Sequence, residues 1–224
     1  MQTQKHNYGN AILAAFEYLL KNYPEVFVIG QGLWSPWYVG NSMTNLDKKF
    51  GKQRVIDTPV SESATTGAAV GASLAGMRPI VVHPRMDFMI YAMDSIVNQA
   101  AKWSSMFGGQ ANPSLTIRSI INRGGEQGAQ HSQALHAWFA HVPGLRVVMP
   151  SSVADARDLL IASVLLLHTY VMVSLLPWSS WPPLVFCFSV CLLFALQDTT
   201  FNNHGPQTPP SQIRPQGTQE QAPL

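Results

Sequence analysis

Short apolar runs that stop at glycine or proline alternate, along the first 163 residues, with longer stretches of helical periodicity. That alternation restricts the fold more than any other feature of the sequence. Val26-Phe27-Val28-Ile29 is a continuous apolar run closed by Gly30, as suits a strand covered on both faces. Val55-Ile56-Asp57 is a second strand, and Pro59 forbids its continuation. Residues 79–82, 115–121 and 145–149 supply three more. Between them, residues 10–22 carry Ile12, Leu13, Phe16, Leu19 and Leu20 at helical spacing, and Tyr23-Pro24 ends the pattern. Helices are also predicted over 63–76, 91–104, 131–140 and 152–163, the last with Asp155 and Asp158 in its first turns. A glycine-rich loop lies at Gly124, Gly125 and Gly128. Strands alternating with helices predict an α/β fold, a parallel sheet with helices on both faces.

Charged residues make up 12% of the 224, about half the usual ~25% of soluble domains, and the deficit is local. From Leu159 to Gln197 there is no Lys, Arg, Asp or Glu. The predicted organisation is an α/β domain over 1–163, a charge-free apolar segment over 164–197 and a disordered Pro/Gln/Thr-rich tail over 198–224. The middle segment leaves three readings open. Residues 169–176 imitate a last strand of the sheet; or 159–176 and 183–197 are membrane segments, short against the ~20 residues a span needs; or the stretch is an aberrant tail never selected to fold. Net charge is +2 with Lys and Arg scattered, so electrostatics gives no reason to propose nucleic acid. Cys187 and Cys191 are too few for a disulfide framework, and the polar N-terminus lacks the pattern of a signal or transit peptide. A cytoplasmic location is the expectation, or a mitochondrial matrix one in a eukaryote, with membrane association through 159–197 left open.

The stretch richest in chemistry is Asp57-Thr58-Pro59-Val60-Ser61-Glu62, running into Ser63-Ala64-Thr65-Thr66-Gly67-Ala68-Ala69-Val70-Gly71-Ala72. A strand end, a proline turn and a carboxylate at a helix start put Glu62 at the C-terminal edge of the sheet, where open α/β folds bind ligands. The plainer interpretation makes Ser61 an N-cap and Glu62 a favourable first-turn acid. Gly30-Gln31-Gly32 after a strand is a poor dinucleotide fingerprint, because Ser35 replaces the third glycine and Pro36 obstructs the helix.

These residues resemble the beta subunits of pyruvate and branched-chain 2-oxo-acid dehydrogenases, within a transketolase-like pyrimidine-binding fold. The likeness continues through Gly76-Met77-Arg78-Pro79-Ile80-Val81, Ala92-Met93-Asp94-Ser95-Ile96-Val97-Asn98-Gln99-Ala100-Ala101-Lys102, Gly128-Ala129-Gln130-His131-Ser132-Gln133, Pro143-Gly144-Leu145-Arg146-Val147-Val148 and Asp155-Ala156-Arg157-Asp158-Leu159-Leu160. It runs in order over about 150 residues, fails after about Val164, and so stops before the family's C-terminal domain.

The resemblance implies thiamine diphosphate as cofactor, with Glu62 as the carboxylate on the aminopyrimidine nitrogen that promotes ylide formation. It implies that Phe88 stacks on the pyrimidine and that His131 lies near the reacting centre. On residue type alone, Phe88 reads as core and His131 as a surface or capping residue. Gln31 stands among the cofactor-binding positions where the family has an acid, and a glutamine cannot act as a base. The family's Gly-Asp-Gly motif for diphosphate and Mg²⁺ does not occur in this sequence. An alpha subunit is therefore expected to hold that half and the metal, and the chain alone to be inactive. The remaining implied partners are a lipoyl acyltransferase core and a 2-oxo-acid substrate, for oxidative decarboxylation and acyl transfer to lipoyl. The alternative is a non-catalytic truncated or membrane-tethered protein that retains alpha-subunit binding. The run His83-Pro84-Arg85-Met86-Asp87-Phe88 departs from the Phe- and Thr-rich family stretch, and Arg85 is a candidate partner for a substrate carboxylate.

Overall fold

The structure, a computed structural model, describes residues 7–35, 37–122 and 127–175. Six strands form one parallel sheet: β1 (Val26–Gly30), β2 (Val55–Asp57), β3 (Arg78–His83), β4 (Thr116–Ile121), β5 (Leu145–Val148) and β6 (Thr169–Leu175), in the order β2-β1-β3-β4-β6-β5. Successive strands leave β1 in opposite directions, β2 to one side and β3 to the other. Connections above β1 and β3 therefore diverge and open a crevice at their C-terminal ends, the position where such folds bind ligands.

Helices cover both faces, as the alternation predicts. On one side α1 (Tyr8–Asn22) packs against α7 (Val153–Leu165), burying Ile12, Phe16, Leu19, Ala156 and Leu160 against Val28, Ile80 and Met172. Asn7 caps α1 by accepting from the Asn10 N–H at 2.8 Å. Ser152 and Asp155 close a capping box on α7, which fixes where that helix starts. On the other side α3 (Glu62–Leu74), a helical stretch over 86–106 and α6 (His136–Ala140) bury Ala69, Val70, Met86, Met89, Ile96 and Phe139 against Val81, Ile117 and Val173. The short helices α2 (Leu46–Phe50), α4 (Met86–Met89) and α5 (Trp103–Met106) complete the set.

Three expectations are corrected. The helix predicted over 91–104 is not a regular α-helix: a 3₁₀ turn (Ile90–Ala92), a π-helical stretch (Asp94–Ala100) and α5 follow one another. The helix predicted over 131–140 begins only at His136, because residues 131–135 are held as a loop by bonds to Asp87, Met86 and Asn122. The sheet does not stop at 163. Helix α7 runs to Leu165, and β6 inserts between β4 and β5, pairing Val171 with Ile117 and with Val147. Residues 169–175 are thus a strand, as one of the three readings had it. Residues 159–165 belong to α7 and 169–175 to β6, so the described part of the 159–176 stretch is not one membrane helix. Among the described residues no helix is long and apolar enough to cross a membrane. The segment 183–197 and the tail 198–224 lie outside the described residues, as do Gly124 and Gly125.

Candidate functional site

The β1/β3 crevice is a shallow cleft whose walls include Gly30 and Gln31 at the end of β1, Val82 and His83 at the end of β3, and Glu62 and Thr65 on α3. Glu62 opens α3 straight from the proline turn, half-buried, and its carboxylate makes no hydrogen bond or ion pair with any described residue. Ser61 occupies the N-cap position, yet its side chain makes no capping hydrogen bond. The helix start is therefore not organised as an ordinary serine cap. It leaves a carboxylate at the lip of the cleft, with the first-turn N–H groups beside it.

The turn that carries Gln31 is tied down by Asp57. Its Oδ1 accepts the Gly32 N–H at 2.6 Å, its Oδ2 accepts the Trp34 N–H at 3.4 Å, and the Trp34 indole donates to the Val55 carbonyl at 2.9 Å. Gln31 itself donates through Nε2 to the Tyr38 hydroxyl at 3.2 Å. Gln31 and Glu62 thus border one cleft, which brings an amide and a carboxylate together.

Sequence reasoning did not single out His83. It is 3% exposed, and its Nε2 lies 3.2 Å from the Thr66 hydroxyl, one turn along α3 from Glu62. Burial lowers its pKa to about 4, so the ring is neutral at ordinary pH. The available signal was a polar residue at the end of an otherwise apolar buried strand, Pro79-Ile80-Val81-Val82-His83.

Phe88 and His131 come together, though apart from the cleft walls. Their rings meet edge to face, with centroids 5.2 Å apart and planes at 84°. The half-buried Phe88 lies on α4, and His131 is delivered by the loop before α6. Buried Asp87 makes this encounter possible. Its Oδ1 accepts from both the backbone N–H and the side-chain amide of Gln133, at 3.1 and 2.8 Å. Arg85 donates to the Pro84 carbonyl and to Gln127 Oε1, at 2.7 and 3.0 Å, and its buried Nε has no partner among the described residues.

Comparison with known proteins places this geometry in a family. The model described as "Transketolase, pyrimidine binding domain" matches residues 4–175. The chain is 41% identical over 141 residues to a mitochondrial pyruvate dehydrogenase E1 component subunit beta-2 of Oryza sativa subsp. japonica, covering 63% of this chain and 38% of that protein. It is 50% identical over 111 residues to the beta subunit of an acetoin:2,6-dichlorophenolindophenol oxidoreductase from Cupriavidus necator, covering 50% of this chain and 33% of that one. The chain thus spans between about a third and two-fifths of the length of these relatives. A split gene transketolase, solved as an inactive beta4 tetramer, superposes with a TM-score of 0.58 at 19% identity, over 80% of this chain and 54% of that one, and shows the same fold.

Proposed function

Because the chain belongs to the transketolase pyrimidine-binding domain family, we propose that it supplies the pyrimidine-binding half of a thiamine-diphosphate site in a beta-type subunit of a 2-oxo-acid dehydrogenase. The observation that carries this reading is the unengaged Glu62 carboxylate at the β1/β3 crevice. Bound there, thiamine diphosphate supplies the carbanion chemistry that decarboxylation requires. Glu62 holds a proton at the ring nitrogen it faces, as a positioned general acid-base. The cleft is small and open, and it offers the aromatic half of such a molecule one free carboxylate and one neutral imidazole beside Gly30 and Val82. The Phe88 and His131 pair, held by Asp87, stands at the margin as an aromatic wall and an imidazole for substrate or acyl acceptor.

The diphosphate and its Mg²⁺ are assigned to an alpha subunit, since the sequence carries no Gly-Asp-Gly. A covering partner is supported by the aromatic turn beside the cleft, where Trp34, Trp37 and Tyr38 are 40%, 75% and 40% exposed. The remaining partners in this proposal are a 2-oxo acid such as pyruvate and a lipoyl acyltransferase core that accepts the acyl group.

Co-expression of the full chain with a matching alpha subunit tests the reading. The complex is expected to decarboxylate a 2-oxo acid, and Glu62→Gln is expected to lower the rate by about 10²–10⁴-fold. Undiminished activity in Glu62→Gln removes Glu62 from the mechanism and the reading with it.

A further inference from the structure

The cleft contains a second polar group that the reading above leaves without a task. His83 terminates β3 beside Gly30 of β1, and its register partner on β4 is Ser119. Its Nε2 is engaged by Thr66, and Nδ1 has no partner among the described residues. Although the residue is buried, Nδ1 itself is not fully enclosed, so water or a ligand in the cleft can complete its hydrogen bonding. The ring borders the same cleft as Glu62, and Thr66 stands four residues after Glu62 on α3. One turn of one helix therefore fixes both the carboxylate and the orientation of the imidazole.

Resting on the pyrimidine-site reading, we propose that His83 is a ligand-contacting residue of the cleft, oriented by Thr66, whose free nitrogen hydrogen-bonds the polar edge of the aminopyrimidine beside Glu62. A neutral imidazole suits this role, because it supplies direction without a second charge next to the carboxylate. Charged residues near it along the chain are Arg85 and Asp87, and Glu62 lines the same cleft. Arg85 donates to Gln127 and Asp87 accepts from Gln133, with Arg85 Nε and Asp87 Oδ2 still unpartnered, but of these groups only Glu62 and His83 line the cleft. Thr66 acts as a positioning residue: its hydroxyl fixes which edge of the ring is presented.

The test uses the full chain in complex with its alpha subunit and thiamine diphosphate itself as probe. Binding is followed by tryptophan fluorescence, and the ring by ¹⁵N resonances of histidine-labelled protein. His83→Phe is expected to weaken binding about tenfold, the value of roughly one hydrogen bond. In the wild type, the ¹⁵N resonance of the free His83 nitrogen is expected to move when thiamine diphosphate is added. A role in packing alone would leave that resonance in place. If Glu62→Gln loses binding, His83→Phe binds as tightly as wild type and the resonance is unmoved, the His83 contact is overturned while the pyrimidine site stands. If the wild-type complex binds no thiamine diphosphate, both fall. If His83→Phe does not fold, the wild-type resonance decides the matter, moving or not moving.

Discussion

Gly30 and Val82 are register partners across β1 and β3, and a Cβ built on Gly30 would sit 2.3 Å from the Val82 carbonyl oxygen. That obstacle is backbone and cannot swing aside as a side chain would. The residue at the end of β1 must lack a Cβ if the two strands are to stay paired where the crevice opens. Gly30→Ala is therefore expected to separate the strand ends, with a stability loss of about 1–3 kcal/mol from overpacking. Urea unfolding of wild type and variant measures it, and an unchanged midpoint would contradict the close approach.

Asp87 is expected to control the Phe88 and His131 pair without touching either ring through its carboxylate. Removing it in Asp87→Ala takes the shared acceptor from both donors of Gln133 and loosens the 131–135 loop. The expected loss is on the order of 1–2 kcal/mol, as for a pair of ordinary hydrogen bonds. The His131 ring protons should also lose the ring-current shift from the edge-on Phe88, which one NMR spectrum resolves. A retained shift would mean that the loop holds itself.

How much of this was legible in the sequence depends on which interaction fixed each part. Elements set by local signals were readable: β1 by its apolar run and Gly30, α3 by the proline turn before it, α7 by Ser152 and Asp155. Elements set by tertiary contacts were not. The loop at 131–135 has acceptable helix formers, and contacts distant in sequence, to Asp87, Met86 and Asn122, hold it as a loop. The π-helical stretch at Asp94–Ala100 has no distinct signature in its residues. β6 was hard to separate from the apolar residues that follow it, because a strand buried on both faces has no alternation to display. Within the site, the place of Glu62 at the sheet edge was readable from its turn, while its role came from the family resemblance alone. His83 was not, since its value comes from Thr66 lying opposite on α3.

The place of β6 leads to a sharp expectation. Val171 is fully buried between Ile117 and Val147. An aspartate there would bury a carboxylate without a partner, at a cost of several kcal/mol, comparable with the whole stability of a domain. Val171→Asp is therefore expected to abolish cooperative thermal unfolding followed by circular dichroism. A variant that still melts cooperatively would show that residues 169–175 do not belong inside the sheet.

The pH dependence of stability follows from His83. Burial puts its folded pKa near 4, below the 6.5 of an exposed histidine. Between those values the unfolded chain binds a proton that the folded chain refuses, so stability falls as pH drops from about 6.5 to about 4 and this contribution stops changing below that. The two pKa values correspond to roughly 3 kcal/mol across the window. His136, also lowered by burial, adds in the same direction. Asp155 has its pKa lowered chiefly by the Ser152 hydroxyl, so its contribution is lost only as acid reaches the bottom of the carboxylate range. His83→Phe removes the largest of these sources. Urea unfolding at pH 7 and pH 4.5 should show a steep loss in the wild type and a much shallower one in the variant. Equal slopes would mean that the His83 ring takes up its proton in the folded chain and is less enclosed than its place between Thr66 and the cleft requires.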